Sequence, residues 1–179
     1  MYGGVTLKLW FERGGALVVP AIRGGGERGS AWHRAAMGAN RQRSYDDFIA
    51  VASDLVRLGI TDPKHLGVFG TSNGGLLAAV VGVQRPELFS AVVADAPLTD
   101  MLRFTEMGGG AAWTAEYGDP RDPRAAAFLA RYSPLHNVHN GVVYPAFFIS
   151  VAATDNVVGP GHARKLARRL AVVDTEIFF

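Results

Sequence analysis

Short apolar runs alternate along the chain with longer stretches whose apolar residues recur every three or four positions. Residues 16–22 (ALVVPAI) are apolar and β-branched, which predicts a buried strand, with Pro20 confined to an edge or bulge because it has no ladder N–H. A glycine-rich stretch, 23–29, follows and predicts no regular structure. Over 44–58, Phe48, Val51, Leu55 and Leu58 fall on one face at helical spacing, with Ser44 as N-cap and Gly59 as stop. Residues 66–69 (LGVF) predict a second strand and 74–84 a helix. Strands follow at 91–95 (AVVAD) and 145–151 (PAFFISV), then a helix over 160–173 and a fifth strand starting at 176–179. Strand–helix–strand alternation of this kind predicts an α/β fold with a mainly parallel sheet. Between Pro97 and Tyr144 the pattern loosens, and that stretch reads as an insertion above the sheet. No repeat or low-complexity tract interrupts the order.

Composition narrows the chemistry. The chain has 179 residues, enough for a core without staples, and its complete lack of cysteine excludes thiol nucleophiles, disulfide scaffolds and cysteine metal centres. The net charge of +2 gives no drive toward nucleic acid. Its densest basic group, Arg164, Lys165, Arg168 and Arg169, reads as the solvated face of a helix that buries Leu166, Leu170 and Val173. No apolar run reaches membrane-span length and no signal peptide is visible, so no membrane partner is expected and the reading leans to the cytoplasm.

The most informative segment is Gly70-Thr71-Ser72-Asn73-Gly74-Gly75. It fits G-x-S-x-G, with an apolar strand before it and a small-residue helix after it. That is the context of a nucleophile elbow, where glycines on either side of the serine clear the turn of Cβ atoms. The following helix start offers N–H groups and positive potential to an oxyanion. A phosphate loop is disfavoured because no Lys-Ser/Thr follows and Gly24-Gly25-Gly26 lacks the dinucleotide-binding arrangement. Chain order predicts Asp155, just after the 145–151 strand, as the acid of a triad, in preference to Asp95 at the end of the next strand after the elbow. No histidine has the expected position for the base. His162 follows the acid too closely and reads as a surface residue at a helix start. His33, His65, His136 and His139 all precede the acid.

Several motifs in order make the chain similar to the catalytic domain of the prolyl oligopeptidases, serine peptidases of α/β-hydrolase fold that cleave after proline. They are Tyr2-Gly3-Gly4, Arg23-Gly24-Gly25-Gly26-Glu27 with Trp32-His33, Tyr45-Asp46-Asp47-Phe48, the elbow through Leu77, and Arg85-Pro86-Glu87-Leu88-Phe89. Trp113-Thr114-Ala115-Glu116-Tyr117-Gly118 and Tyr132-Ser133-Pro134-Leu135-His136-Asn137-Val138 complete the series. The resemblance implies Ser72 as nucleophile and Asp155 as acid. It also implies an oxyanion hole from the Tyr2 hydroxyl and the Asn73 backbone N–H, and a proline slot from Trp113 and Tyr117. No cofactor or metal is expected, and the implied partner is a proline-containing peptide.

The sequence departs from the family pattern in three ways. Val157 stands where the family carries a substrate-binding arginine, no β-propeller is present in residues 1–179, and the triad histidine is missing. The expectation is therefore a partial α/β-hydrolase catalytic domain over 1–179, cut at both ends and inactive by itself, whose last strand leaves an edge open to self-association. Two other readings stand beside the serine peptidase. One is a non-catalytic binding module of α/β-hydrolase type, and the other an esterase or acyl-transferase on the same scaffold.

Overall fold

The computed structural model describes residues 4–179, with side chains from Leu7 onward. Helix α1 (Gly4–Glu12) and the short α2 (Ser30–Arg34) precede a long helix α3 (Gln42–Arg57). Then come β1 (Gly67–Thr71), α4 (Asn73–Gln84), β2 (Ala91–Asp95), α5 (Thr114–Tyr117), α6 (Pro123–Tyr132) and α7 (Pro134–Asn137). The chain ends with β3 (Ala146–Ser150), α8 (Gly161–Val172) and β4 (Ile177–Phe178). All strand pairs are parallel and the order is β1-β2-β3-β4, so consecutive strands are neighbours joined by crossovers. The expected parallel α/β sheet is present.

Helix α4 is apolar on every side because it is wrapped on every side. Leu76, Ala78, Ala79, Val80 and Val81 are all buried, and a Cβ on Gly82 would lie 2.5 Å from Val92 of β2. Helix α3 ends as expected. The amide of Gly59 donates to the Val56 carbonyl and that of Ile60 to Leu55, the two bonds of a Schellman stop. Its start differs from the expectation, because Arg41 is the N-cap. Ser44 lies inside the helix, buried, and its hydroxyl donates to the Arg23 carbonyl at 2.6 Å.

Three further differences have physical causes. Residues 16–22 form no strand. Pro20 has no N–H to offer, Val19 is 80% exposed, and no neighbouring strand lies against the outer side of β1 among the described residues. The 97–144 stretch stays out of the sheet, as expected, but it is mostly short helices that build the core. Leu98, Met101, Phe104, Leu129 and Tyr132 all join the main cluster. The basic face of α8 is only half solvated. Lys165 donates to Asp100 at 2.8 Å, and Arg169 donates twice to the Val138 carbonyl.

His162 is the largest correction. It is fully buried, and its Nδ1 accepts the backbone N–H groups of both Thr99 and Asp100 at 3.1 Å. The Thr99 hydroxyl closes the junction by donating to the His162 carbonyl at 2.6 Å. His162 is thus a neutral bolt between the end of the β2 loop and the start of α8. Beside it, burial alone would raise Asp100. The bond and charge of Lys165, with Arg103 and His136, instead hold its carboxyl below the usual range.

The helix-free face of the sheet carries Phe69, Val93, Phe148 and Phe178 as register partners across all four strands, and the three phenylalanines are at least half exposed. Among the described residues, no helix is long and apolar enough to cross a membrane, and no cluster of His, Asp or Glu could hold a metal.

Candidate active site

Ser72 stands on a sharp turn between β1 and α4. Its φ of 57° with ψ of −117° is a backbone state that a residue with a Cβ rarely adopts. Its amide donates to the Asp95 carbonyl at 2.9 Å, and its carbonyl accepts from Leu76, so the turn is held from both sides. The side chain is exposed at the carboxyl end of the sheet.

The glycines beside it have unequal reasons. A Cβ on Gly70 would sit 2.0 Å from the Gly74 carbonyl oxygen, so position 70 admits only glycine. A Cβ on Gly74 would meet nothing within 4 Å. Crowding on the helix side falls instead at Gly75, whose Cβ would lie 2.8 Å from the Asp95 carbonyl oxygen.

Asp155 lies on the loop after β3, on the same edge of the sheet as Ser72. Its Oδ1 accepts the backbone N–H groups of Val157 at 2.9 Å and Val158 at 3.0 Å, which fixes the carboxylate. Strand β2 separates β1 from β3, so the two strand ends stand about 10 Å apart. A hydroxyl and a carboxylate across such a gap need a bridging group. Asp95, the weaker candidate acid, accepts the Ser150 hydroxyl at 2.7 Å across the sheet.

The acid loop is also tied to the segment leading into Trp113. The Gly109 amide donates to the Val157 carbonyl at 2.7 Å. Gly108 has φ +55°, and a Cβ there would lie 2.5 Å from that same oxygen. The loose glycine run in the sequence is therefore a close junction. Trp113 ends it, half-buried against the core. A cleft of about 380 Å³ beside this segment is lined by Leu102, Thr105, Ala111 and Thr114 among others, and touches neither Ser72 nor Tyr117.

Tyr117 is buried edge-to-face against Phe104, and its hydroxyl donates to Asn73 Oδ1 at 2.8 Å. Burial pushes its phenol up to about 12, with Arg41 pulling the other way. The helix position that supplies the Asn73 amide is thus joined to the aromatic segment. Tyr2 lies outside the described residues.

None of the five histidines bonds to Ser72 or Asp155 among the described residues. His33 meets Glu116 at 2.9 Å, His65 caps the Asp62 turn, His136 pairs with Ser133, and His162 is the buried bolt. His139 offers only its backbone amide, to Tyr144.

One group that the sequence reading passed over lies at the centre of this region. Arg41, 3% exposed, donates from Nη1 to Glu116 Oε1 at 2.5 Å and from Nη2 to Asn73 Oδ1, and its Cζ stands 5.1 Å from the Tyr117 ring centroid. A cation at a helix N-terminus opposes the helix dipole, so Arg41 at that place is locally unfavourable and calls for another partner.

Comparison with known proteins decides what this arrangement belongs to. The profile of the Prolyl oligopeptidase family matches residues 3–179. The chain belongs to the prolyl oligopeptidase family. It is 54% identical over 166 residues, 93% of its length, to an uncharacterized peptidase of Sinorhizobium fredii, and covers 23% of that protein. A solved structure from a study of two prolyl endopeptidases superposes with a TM-score of 0.95 at 40% identity, over 98% of this chain and 26% of that one. Prolyl oligopeptidase B of Galerina marginata, bound to a 35mer hydrolysis and macrocyclization substrate, matches with a TM-score of 0.83 at 38% identity, over 86% and 22% of the two chains. The parallel sheet and its helices are therefore the α/β-hydrolase architecture of prolyl oligopeptidase catalytic domains. The chain spans about a quarter of the length of the relatives it matches.

Proposed function

We propose that residues 1–179 are the part of a post-proline serine peptidase that carries its nucleophile, its acid and its proline slot. The observation that carries this reading is the strained, exposed Ser72 at the β1–α4 turn, with the Asn73 amide at the start of the helix directly behind it. In this reading Ser72 Oγ attacks the carbonyl carbon of a prolyl residue while a base takes its proton. The carbonyl oxygen becomes an oxyanion held by the Asn73 N–H and the Tyr2 hydroxyl. Each such donor contributes about 3 kcal/mol to lowering the barrier. Collapse breaks the C–N bond, the base returns the proton to the leaving amine, and water then hydrolyses the acyl-enzyme by the same steps in reverse order.

Asp155 would orient that base across the gap between β1 and β3. The base itself would come from a residue other than the five histidines here, and the 179 residues alone would turn over negligibly. Trp113 would present its indole face to the proline ring, with Tyr117 bracing the slot through Asn73. A flat aromatic wall suits a ring that loses no rotamers on binding. Val157 leaves the substrate carbonyl without the family's arginine, which weakens peptide positioning.

The direct test uses the full-length gene product and paired peptides differing only in proline or alanine before the scissile bond. The expected kcat/KM ratio favours proline by about 100-fold, the scale of pocket discrimination. Equal rates would remove the proline slot from the account and favour the esterase or acyl-transferase reading.

A further inference from the structure

Arg41 bridges three elements at one point, beside the Gln42–Gln84 bonds that also join α3 to α4. It stands at the N-cap position of α3, holds the first residue of α4 through Asn73, and reaches α5 through Glu116 and the face of Tyr117. Helix α5 has four residues, too few to hold its own shape. Asn73 Oδ1 receives both the Arg41 guanidinium and the Tyr117 hydroxyl, which fills its two lone pairs and leaves its side chain a single orientation. The backbone of the same residue offers one of the unpaired N–H groups at the start of α4.

We propose that Arg41 is a positioning residue that locks the elbow to the slot, fixing the aim of the Asn73 amide and the place of Tyr117 together. This rests on the peptidase reading given above. Arg41 touches no reacting atom; it acts through Asn73 and Glu116. The charge is suited to the task because a buried guanidinium must keep its partners, whereas an uncharged side chain of the same length could drift. His33 holds the second oxygen of Glu116, so removing Arg41 leaves that carboxylate one partner. The loss then falls on aim more than on folding.

The test compares Arg41→Met, Arg41→Lys, Asn73→Ala and the Arg41→Met/Asn73→Ala double variant in the full-length gene product, with active sites counted by fluorophosphonate titration. For a prolyl peptide, Arg41→Met is expected to lower kcat/KM about 30-fold, mostly in kcat, and to reduce the preference for proline over alanine. Arg41→Lys, which keeps one charged contact, recovers part of the loss. Because both single changes break the same lock, the double variant should be no slower than the worse single one. Losses that multiply in the double variant, or a lowered melting temperature with unchanged kcat/KM per active site, would make Arg41 merely structural and overturn the proposal. If wild-type protein shows Ser72-dependent turnover and Arg41→Met matches it, this inference alone fails. If the wild-type protein shows no Ser72-dependent turnover, the peptidase reading fails and takes this inference with it.

Discussion

Replacing Ser72 with alanine is expected to remove about 10⁶ from kcat for a prolyl peptide, while the affinity for that peptide stays within a few-fold. The size follows from the covalent route. Without Oγ no acyl-enzyme forms, and only the oxyanion donors and the slot are left to act on bound substrate. In the proposed reading affinity stays, because the slot formed by Trp113 and braced by Tyr117 holds the substrate and alanine at 72 alters neither. Stability should also hold within about 0.5 kcal/mol, since alanine keeps the same Cβ on the same strained turn and the Ser72 hydroxyl makes no hydrogen bond among the described residues. Steady-state kinetics with equilibrium peptide binding on the full-length gene product measures both halves. A variant with a tenth of wild-type turnover would mean that another group attacks the carbonyl.

The second large effect concerns acid. His162 Nδ1 accepts two backbone N–H bonds, so its one proton resides on Nε2. A second proton on Nδ1 would face two donors in a fully buried site. Burial pushes its pKa down to about 4 from the ordinary 6.5; Asp100 opposes that shift and Lys165 adds to it. Between those values the unfolded chain binds a proton that the folded chain refuses. Stability is therefore flat above pH 6.5 and falls as pH drops toward 4, by roughly 3 kcal/mol in all. His136, pushed down chiefly by burial, adds to the loss with the same sign. Asp100 does not oppose it in this window, since its lowered carboxyl gives up stability only below the usual carboxylate range. Urea unfolding of wild type and His162→Asn at several pH values measures the effect. Asn keeps an acceptor at the Nδ1 place and cannot titrate, so its profile should lose most of the slope between pH 6.5 and 4. Parallel profiles would show that His162 carries none of it.

Much of the fold was legible because local pattern and tertiary place agree. The strand at 91–95 and the helices near 44–58, 74–84 and 160–173 all have apolar spacing that matches a buried face, and the structure places them within a few residues of the reading. Residues 16–22 failed for the opposite reason. Their composition is that of a strand, but a strand needs a partner, and composition does not supply one. His162 was misread because a polar residue at a helix start is ordinarily solvated; only the folded chain brings the Thr99 and Asp100 amides to it. The turn at Ser72 was legible because the elbow is a local device, with its glycine, turn and helix start contained in six residues. Arg41 was not, because its partners at positions 73, 116 and 117 are distant in sequence.

The central claim is that Ser72 is the activated nucleophile. The most direct measurement treats the full-length gene product with a fluorophosphonate and maps the adduct by peptide mass spectrometry. The account predicts one stoichiometric adduct on the elbow peptide, at Ser72, that forms in step with loss of post-proline cleavage. An adduct at another residue, or full loss of cleavage with Ser72 unmodified, would contradict it.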